Sequence, residues 1–267
     1  MFYINSMKTY IKILGLTLIM SFAFSSCISS KGIGYKKKKE KEYAVKVKNK
    51  VDHSVWDKLL KKHVKSSGLV DYKGFKSDQD KLNSYVIFLS ENKPKDNWVF
   101  EEQLAYFINV YNANTIKLIV DNYPIKSIKD IDATISPFLK KIIKIGDKEL
   151  SLADLEKGIL QKMNEPRIHF AINCASFSCP KLLQDAYTAE NVDELMTKAA
   201  KEFINSEKND ISENSAKISE IFKWYKKDFL KQSESIIDYI NQYSDTKINA
   251  GVELGYKNYD WSLNDVE

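Results

Sequence analysis

Arg167, His169, Asn173, Cys174 and Cys179 fall within thirteen residues of a 267-residue chain. His169 is the only histidine of the latter two thirds, and Cys174 and Cys179 are the only cysteines beyond the N-terminal segment. The chemistry this set suggests is that of a thiol nucleophile, which needs a cysteine, a histidine to take its proton and a third group to orient the histidine. Cys174 and His169 supply the first two, and Glu102 or Asn112 the third. Ile168, Phe170 and Ile172 interleave with the polar residues, an alternation that reads as a buried strand running into a tight polar loop. In a straight strand five residues separate Cα atoms by roughly 16 Å, and odd offsets face opposite ways. His169 and Cys174 therefore meet only if the chain bends near Asn173, which Ala175-Ser176 permits. Alternatively, Cys179 returns toward the strand as the reactive thiol. The competing structural reading is a Cys174–Cys179 disulfide, formed if the two Cα atoms come within about 7 Å. For His169 it is a strand histidine hydrogen-bonded inside the core. Arg167, on one face with His169 and Asn173, points to a polar pocket. It pairs there with a buried carboxylate, Glu156 being the candidate, or binds an acidic group of a ligand.

Other chemistries have poor raw material. With three histidines and no Cys-x-x-Cys pair, no metal site is expected. No glycine-rich phosphate loop is present, so no nucleotide and no other cofactor is expected. The net charge of +5 is a property of the tail. Residues 28–50 carry nine lysines against Glu40 and Glu42, a net +7, and Lys8 and Lys12 add +2, which leaves −4 for residues 51–267. A nucleic-acid-binding domain would place its basic patch on the fold, so no nucleic-acid partner is expected.

The ends give an address. Lys8 and Lys12 precede an apolar run from Ile13 to Phe24, and Ser25-Ser26-Cys27 follows. This is the pattern of a secretory signal, too short for a membrane span. A cysteine after small residues reads as a lipidation site, with Phe24 where Leu is more usual; a plain signal peptide with an incidental Cys27 is the other reading. Residues 1–27 are thus expected to be a lipoprotein signal. Residues 28–50 read as a flexible basic tether that hugs anionic head groups, and 51–267 as one globular domain. The expected location is the bacterial cell envelope, lipid-anchored through Cys27 and facing the periplasm.

The domain reads as helix-rich α+β, with a small sheet around a central buried helix. Helices are expected over Ser54–Val64, Gln79–Ser90, Phe100–Asn122, Val192–Asn205, Ile218–Leu230 and Ser233–Tyr243. Val55, Trp56, Leu59, Leu60 and Val64 form the first apolar stripe, with His63 packed beside it. Phe100–Asn122 is apolar on most sides yet carries Glu102, Asn109 and Asn112, which need buried partners. Ile142–Ile145, a Gly146-Asp147 turn and Lys148–Leu150 make a hairpin. Ser151 then caps a helix expected to reach about Met163.

Three stretches resemble one family. Glu102-Gln103-Leu104-Ala105-Tyr106-Phe107-Ile108-Asn109-Val110-Tyr111-Asn112-Ala113 is similar to its helix motif, with Tyr106-Phe107 where Phe-Trp is usual. Arg167-Ile168-His169-Phe170-Ala171-Ile172-Asn173-Cys174, followed by Ser178-Cys179-Pro180, resembles its cysteine segment. Tyr259-Asp260-Trp261-Ser262-Leu263-Asn264 is similar to its closing motif. The family is DUF547, and the resemblance spans roughly residues 55–264. It implies that Glu102, Asn109, Asn112, Arg167, His169, Cys174 and Asp260 are motif positions, and it favours Cys174 over Cys179 as the functional thiol. The Glu, His and Cys set implies a thiol hydrolase or transferase, papain- or transglutaminase-like at the level of roles only.

The leading expectation is an envelope enzyme acting on an amide or thioester of a small molecule or peptide. Cys174 is its nucleophile, His169 its base, and Glu102 orients His169. Arg167, Asn109, Asn112, Asn173 and Asp260 bind the substrate. The alternative is a non-catalytic periplasmic binding or scaffold lipoprotein with a structural Cys174–Cys179 disulfide.

Overall fold

The structure, a computed structural model, describes residues 30–38 and 51–266. The expected signal segment and Cys27 lie outside the described residues. Among those that are described, no helix is long and apolar enough to cross a membrane.

The centre of the molecule is the helix Phe100–Asn122. From Phe100 to Val120 only Glu101 and Lys117 escape burial. Such a helix has no polar face, so its buried amides must bond inside the protein. Around it, in chain order, lie α1 (Ser54–His63), α2 (Tyr72–Ser77), α3 (Gln79–Glu91) and then the central helix itself, α4. Trp56 on α1 stacks on Tyr85 of α3 with ring centroids 5.8 Å apart. His63 is buried, its Nε2 is 2.8 Å from Asp78 Oδ2 and its ring lies against Phe75. Val55, expected on the apolar stripe of α1, faces outward at 42 % exposure.

The hairpin follows as β1 (Lys141–Ile145) and β2 (Lys148–Ser151), paired antiparallel across a turn in which Gly146 takes a positive φ. Ser151 opens α5 (Leu152–Gly158) with a capping box completed by Asp154. The helix stops earlier than periodicity suggests; Leu160–Met163 is a 3-10 turn. Next come α6 (Ile168–Ala171) and α7 (Val192–Ile204). A second sheet holds β3 (Asp210–Ile211), β4 (Ala216–Ser219) and β5 (Leu254–Lys257), in that order. β3 and β4 are antiparallel; β4 and β5 are parallel. Between β4 and β5 run α8 (Ile221–Trp224), α9 (Lys226–Phe229) and α10 (Ile236–Asn241). The fold is α+β and helix-rich, with two small sheets rather than one.

Two expected elements differ. The strand through His169 is a single helical turn, α6, followed by extended Ile172. Ile168, His169, Phe170 and Ala171 are all buried. Where every side is covered, alternation of apolar residues carries no information about period. The expected helix Ile218–Leu230 is instead the end of β4 and two short helices, because Ile218 pairs with Tyr256 in the sheet.

Residues 30–38, expected as part of a free tether, lie against the domain. Ile33 and Tyr35 pack on its core, Lys36 N–H donates to Gln103 Oε1 and Lys38 N–H donates to Met163 O. Lys38 Nζ lies 2.5 Å from the buried carboxylate of Glu165.

Asn109 shows how α4 holds the rest. Its Nδ2 donates to Tyr187 O at 2.7 Å and its Oδ1 accepts from Tyr187 N–H at 3.2 Å, all buried. Asn109→Ala strands both backbone groups and is expected to cost about 3 kcal/mol. Urea unfolding checks this; a loss below about 1 kcal/mol would show that the clamp contributes little.

Candidate active site

Cys174 stands on a turn that the sequence alone makes improbable. The next residue, Ala175, is fully buried and has φ +60°, a conformation costly for any residue with a Cβ. The turn persists because its neighbours fix it. Asn112 Nδ2 donates to Ala171 O at 3.0 Å, and Asn112 Oδ1 accepts from Asn173 N–H at 2.8 Å. Asn173 Oδ1 accepts from Ala175 N–H at 2.9 Å, while its Nδ2 donates to Pro180 O at 2.7 Å. One side chain thus ties the start of the loop to its end.

The C-terminal segment closes the turn from outside. Phe177 N–H donates to Ser262 O at 2.7 Å, Ser178 N–H to Asp260 O at 3.2 Å, and Asp260 N–H to Ser178 Oγ at 2.9 Å. Asn264 is anchored in turn by Tyr72, whose hydroxyl donates to its Oδ1 at 2.7 Å. This places Tyr259 beside the thiol, with its hydroxyl 3.2 Å from Cys174 Sγ and 3.0 Å from Ser176 Oγ.

Cys174 is half-buried and its Sγ sits among hydrogen-bonding groups. Cys179 Sγ lies 2.9 Å away and Ser176 Oγ 3.2 Å away, and both cysteines are free thiols. The Cys179 thiol, then the hydroxyls of Ser176 and Tyr259 and the Ser176 N–H, outweigh burial and bring Cys174 down to about 7. Cys179 moves the other way: burial and the neighbouring Cys174 push it well above the ordinary thiol range. Burial and the two cysteines likewise hold the Tyr259 hydroxyl protonated. The arrangement favours ionisation of Cys174 ahead of Cys179 and Tyr259.

His169 is elsewhere. Its Nε2 lies 2.9 Å from Asp228 Oδ2, its ring stacks on Tyr225 at 3.8 Å, and Phe229 meets it edge-on. Its Nδ1 is buried and has no hydrogen-bond partner among the described residues. Burial works against the Asp228 charge, but bonds from His169 and Lys231 hold its carboxyl below the usual range. The expected Cys174–His169 pair is not formed. The chain does bend, but it bends after α6, which has already turned His169 toward Asp228. Glu102 accepts from Val51 N–H at 3.0 Å, and the carboxylate bonded to His169 is that of Asp228. Tyr225 is the residue between His169 and the thiols: burial, then the charges of Glu156 and of the two cysteines, push its hydroxyl well above the usual range.

The remaining expected site residues are bonded to other groups of the protein. Arg167 pairs with Glu165 and Asp193 at 2.6 Å each and donates to Thr197 Oγ1, so its carboxylates are not that of Glu156. Glu156 instead accepts from Gln161. Asn109, Asn112 and Asn173 are bonded to backbone. Asp260 is exposed, and its Oδ1 accepts from Ser262 N–H at 2.8 Å. Among the described residues no three His, Cys, Asp or Glu side chains are gathered as a metal ligand set.

Sequence reasoning passed over Ser176, Tyr225 and Tyr259. Tyr259 belongs to the closing motif, and its place one residue before Asp260 was the available signal. It leads an aromatic surface beside the thiol. Its ring is 4.8 Å from Trp224, which is 44 % exposed, and 4.7 Å from Trp261.

Residues 95–204 match the model of a family described as "Protein of unknown function, DUF547", which supports the resemblance read from the motifs. The match includes α4, α6 and both cysteines. The chain matches no curated protein and no solved structure.

Tyr259→Phe removes one donor from the thiolate. Alkylation of Cys174 follows its thiolate form, so its rate rises with pH through a midpoint expected near 7. In the variant that midpoint moves up, toward the ordinary thiol value of about 8.5. An unchanged midpoint would show that the hydroxyl does not hold the charge.

Proposed function

We propose that this protein is a cysteine-dependent hydrolase or acyltransferase of the cell envelope, with Cys174 as nucleophile. The observation that supports this most is the donor set around Cys174 Sγ, which favours a thiolate near neutral pH. A thiol that is already ionised does not need a histidine to take its proton. In the reaction, Cys174 Sγ attacks the carbonyl carbon of an amide or thioester and forms an S–C bond. Collapse of the tetrahedral intermediate breaks the bond to the amine or thiolate leaving group. A thiolate leaves as the anion and an amine leaves with a proton from solvent, because Tyr259 holds its own. Water or an acceptor nucleophile then releases the acyl group and restores the thiolate.

In this reading His169 is a positioning residue. Asp228 and the stack on Tyr225 hold it, and it holds Tyr225 toward Glu156 beside the thiols. The location rests on the leader and Cys27, with the lysine-rich segment adding attraction to anionic lipid. A substrate presented by other envelope components is consistent with the exposed rings of Trp224 and Phe177 around the thiol.

The alternative, a binding or scaffold lipoprotein stapled by a Cys174–Cys179 disulfide, draws on the same short approach of the two sulfurs.

Incubating the reduced full chain with a panel of small acyl thioesters tests the proposal, read by intact mass. A single acyl adduct is expected on wild type and on His169→Asn, and none on Cys174→Ser. Loss of the adduct in His169→Asn with the fold retained would return the base role to His169. An adduct that survives in Cys174→Ser would remove Cys174 as the nucleophile.

A further inference from the structure

Hydrolysis uses one thiol, yet the turn is built around two. Asn173 ties the Cys174 side of the loop to its Cys179 side through Ala175 N–H and Pro180 O. Cys174 N–H donates to Cys179 Sγ at 3.0 Å, and the two sulfurs are 2.9 Å apart as free thiols. They differ in access: Cys174 is half-buried, whereas Cys179 is 4 % exposed. A cation stands behind the buried member, with Lys208 Nζ at 2.5 Å from Cys179 O. An oxidant from solvent meets Cys174 first, and the product finds a second sulfur already in contact.

We propose that Cys174 and Cys179 form a peroxide-reducing dithiol, in which Cys174 is the oxidised thiol and Cys179 the resolving one. The oxidant class is hydrogen peroxide or an organic hydroperoxide. The Cys174 thiolate attacks one peroxide oxygen; the S–O bond forms, the O–O bond breaks, and the departing hydroxide or alkoxide leaves as water or alcohol with a proton from solvent, matching the one Cys174 gave up on ionising. Cys174 has lost two electrons and is a sulfenic acid. Cys179 Sγ, its proton passed to the leaving hydroxyl, then attacks Cys174 Sγ; the S–S bond forms, the S–O bond breaks, and a second water departs. Two thiols and one peroxide thus give one disulfide and two waters, or one water and one alcohol for a hydroperoxide. A dithiol reductant returns both cysteines to thiols by exchange. The split acidity of the pair fits these roles, with an ionised attacker and a resolving thiol whose charge is offset by Lys208. This activity needs Cys174 to be reactive but needs no acyl substrate, so it can stand or fall apart from the acyl chemistry.

The test uses the purified full chain, reduced with dithiothreitol, desalted, and mixed with one equivalent of hydrogen peroxide. Wild type is expected to lose the thiols of Cys174 and Cys179, read on the peptide that carries them so that Cys27 is not counted, with a mass lower by two hydrogens, and dithiothreitol to restore them. The rate is expected to exceed that of free cysteine by at least about tenfold at neutral pH. Cys179→Ser is expected to stop at the sulfenic acid, trapped by dimedone on Cys174, and Cys174→Ser to consume no peroxide. Cys179→Ala repeats the trapping in case the serine disturbs the fold. Wild type that keeps both thiols, or that reacts no faster than free cysteine, overturns the proposal. So does Cys174→Ser consuming peroxide at the wild-type rate.

Discussion

The carboxamide of Asn112 is bonded at both ends to the backbone that leads into Cys174, and the site depends on that bond pair. Asn112 lies on the buried central helix α4, where an unpartnered amide is costly. The helix therefore dictates where Ala171 O and Asn173 N–H must be. With those fixed, the chain has no room to leave α6 as a strand. It turns instead through Ala175 at positive φ and delivers the thiol outward, toward the C-terminal segment. The strain at Ala175 is tolerable only because Asn112, Asn173 and Asn264 hold the backbone around it.

Much of this was legible from the residues. The bounds of α4 follow from its spacing of apolar residues and from Pro124. The hairpin follows from Gly146-Asp147, and the start of α5 from Ser151 with Asp154 three residues on. The need of Asn109 and Asn112 for buried partners was also readable, because polar side chains on an all-round apolar helix must be satisfied. Their partners were not readable: both bond main-chain groups some 60 to 80 residues away, and backbone atoms leave no mark in a sequence. The direction of His169 was hidden for another reason. It depends on Asp228 of α9 and on Tyr225 at the turn between α8 and α9, a break that periodicity passed over in reading one helix. Glu165, by contrast, stood two residues from Arg167 and outcompeted Glu156 as its partner through proximity in the chain.

The chemistry that emerges differs in kind from a thiol–histidine pair. Such a pair makes a thiolate by proton transfer. Here the charge on Cys174 is favoured by donors that themselves resist ionisation, namely Cys179, Ser176 and Tyr259. Each is supplied by a different constraint. Cys179 comes from the Asn173-tied loop, Ser176 from the turn after Ala175, and Tyr259 from the strand-like run that pairs with the loop at Leu263. A site assembled this way is sensitive to the closing segment, which explains why a motif some 80 residues beyond the cysteines accompanies them.

The measurement that tests this account most directly is a spectroscopic titration of thiolate in the reduced protein, from about pH 5 to about pH 9, in wild type and in Cys174→Ser. The account predicts that wild type forms one thiolate with a midpoint near 7, and that this step disappears in the variant while Cys179 stays protonated. A first ionisation at or above about 8.5, or a step near neutrality that survives in Cys174→Ser, would contradict it.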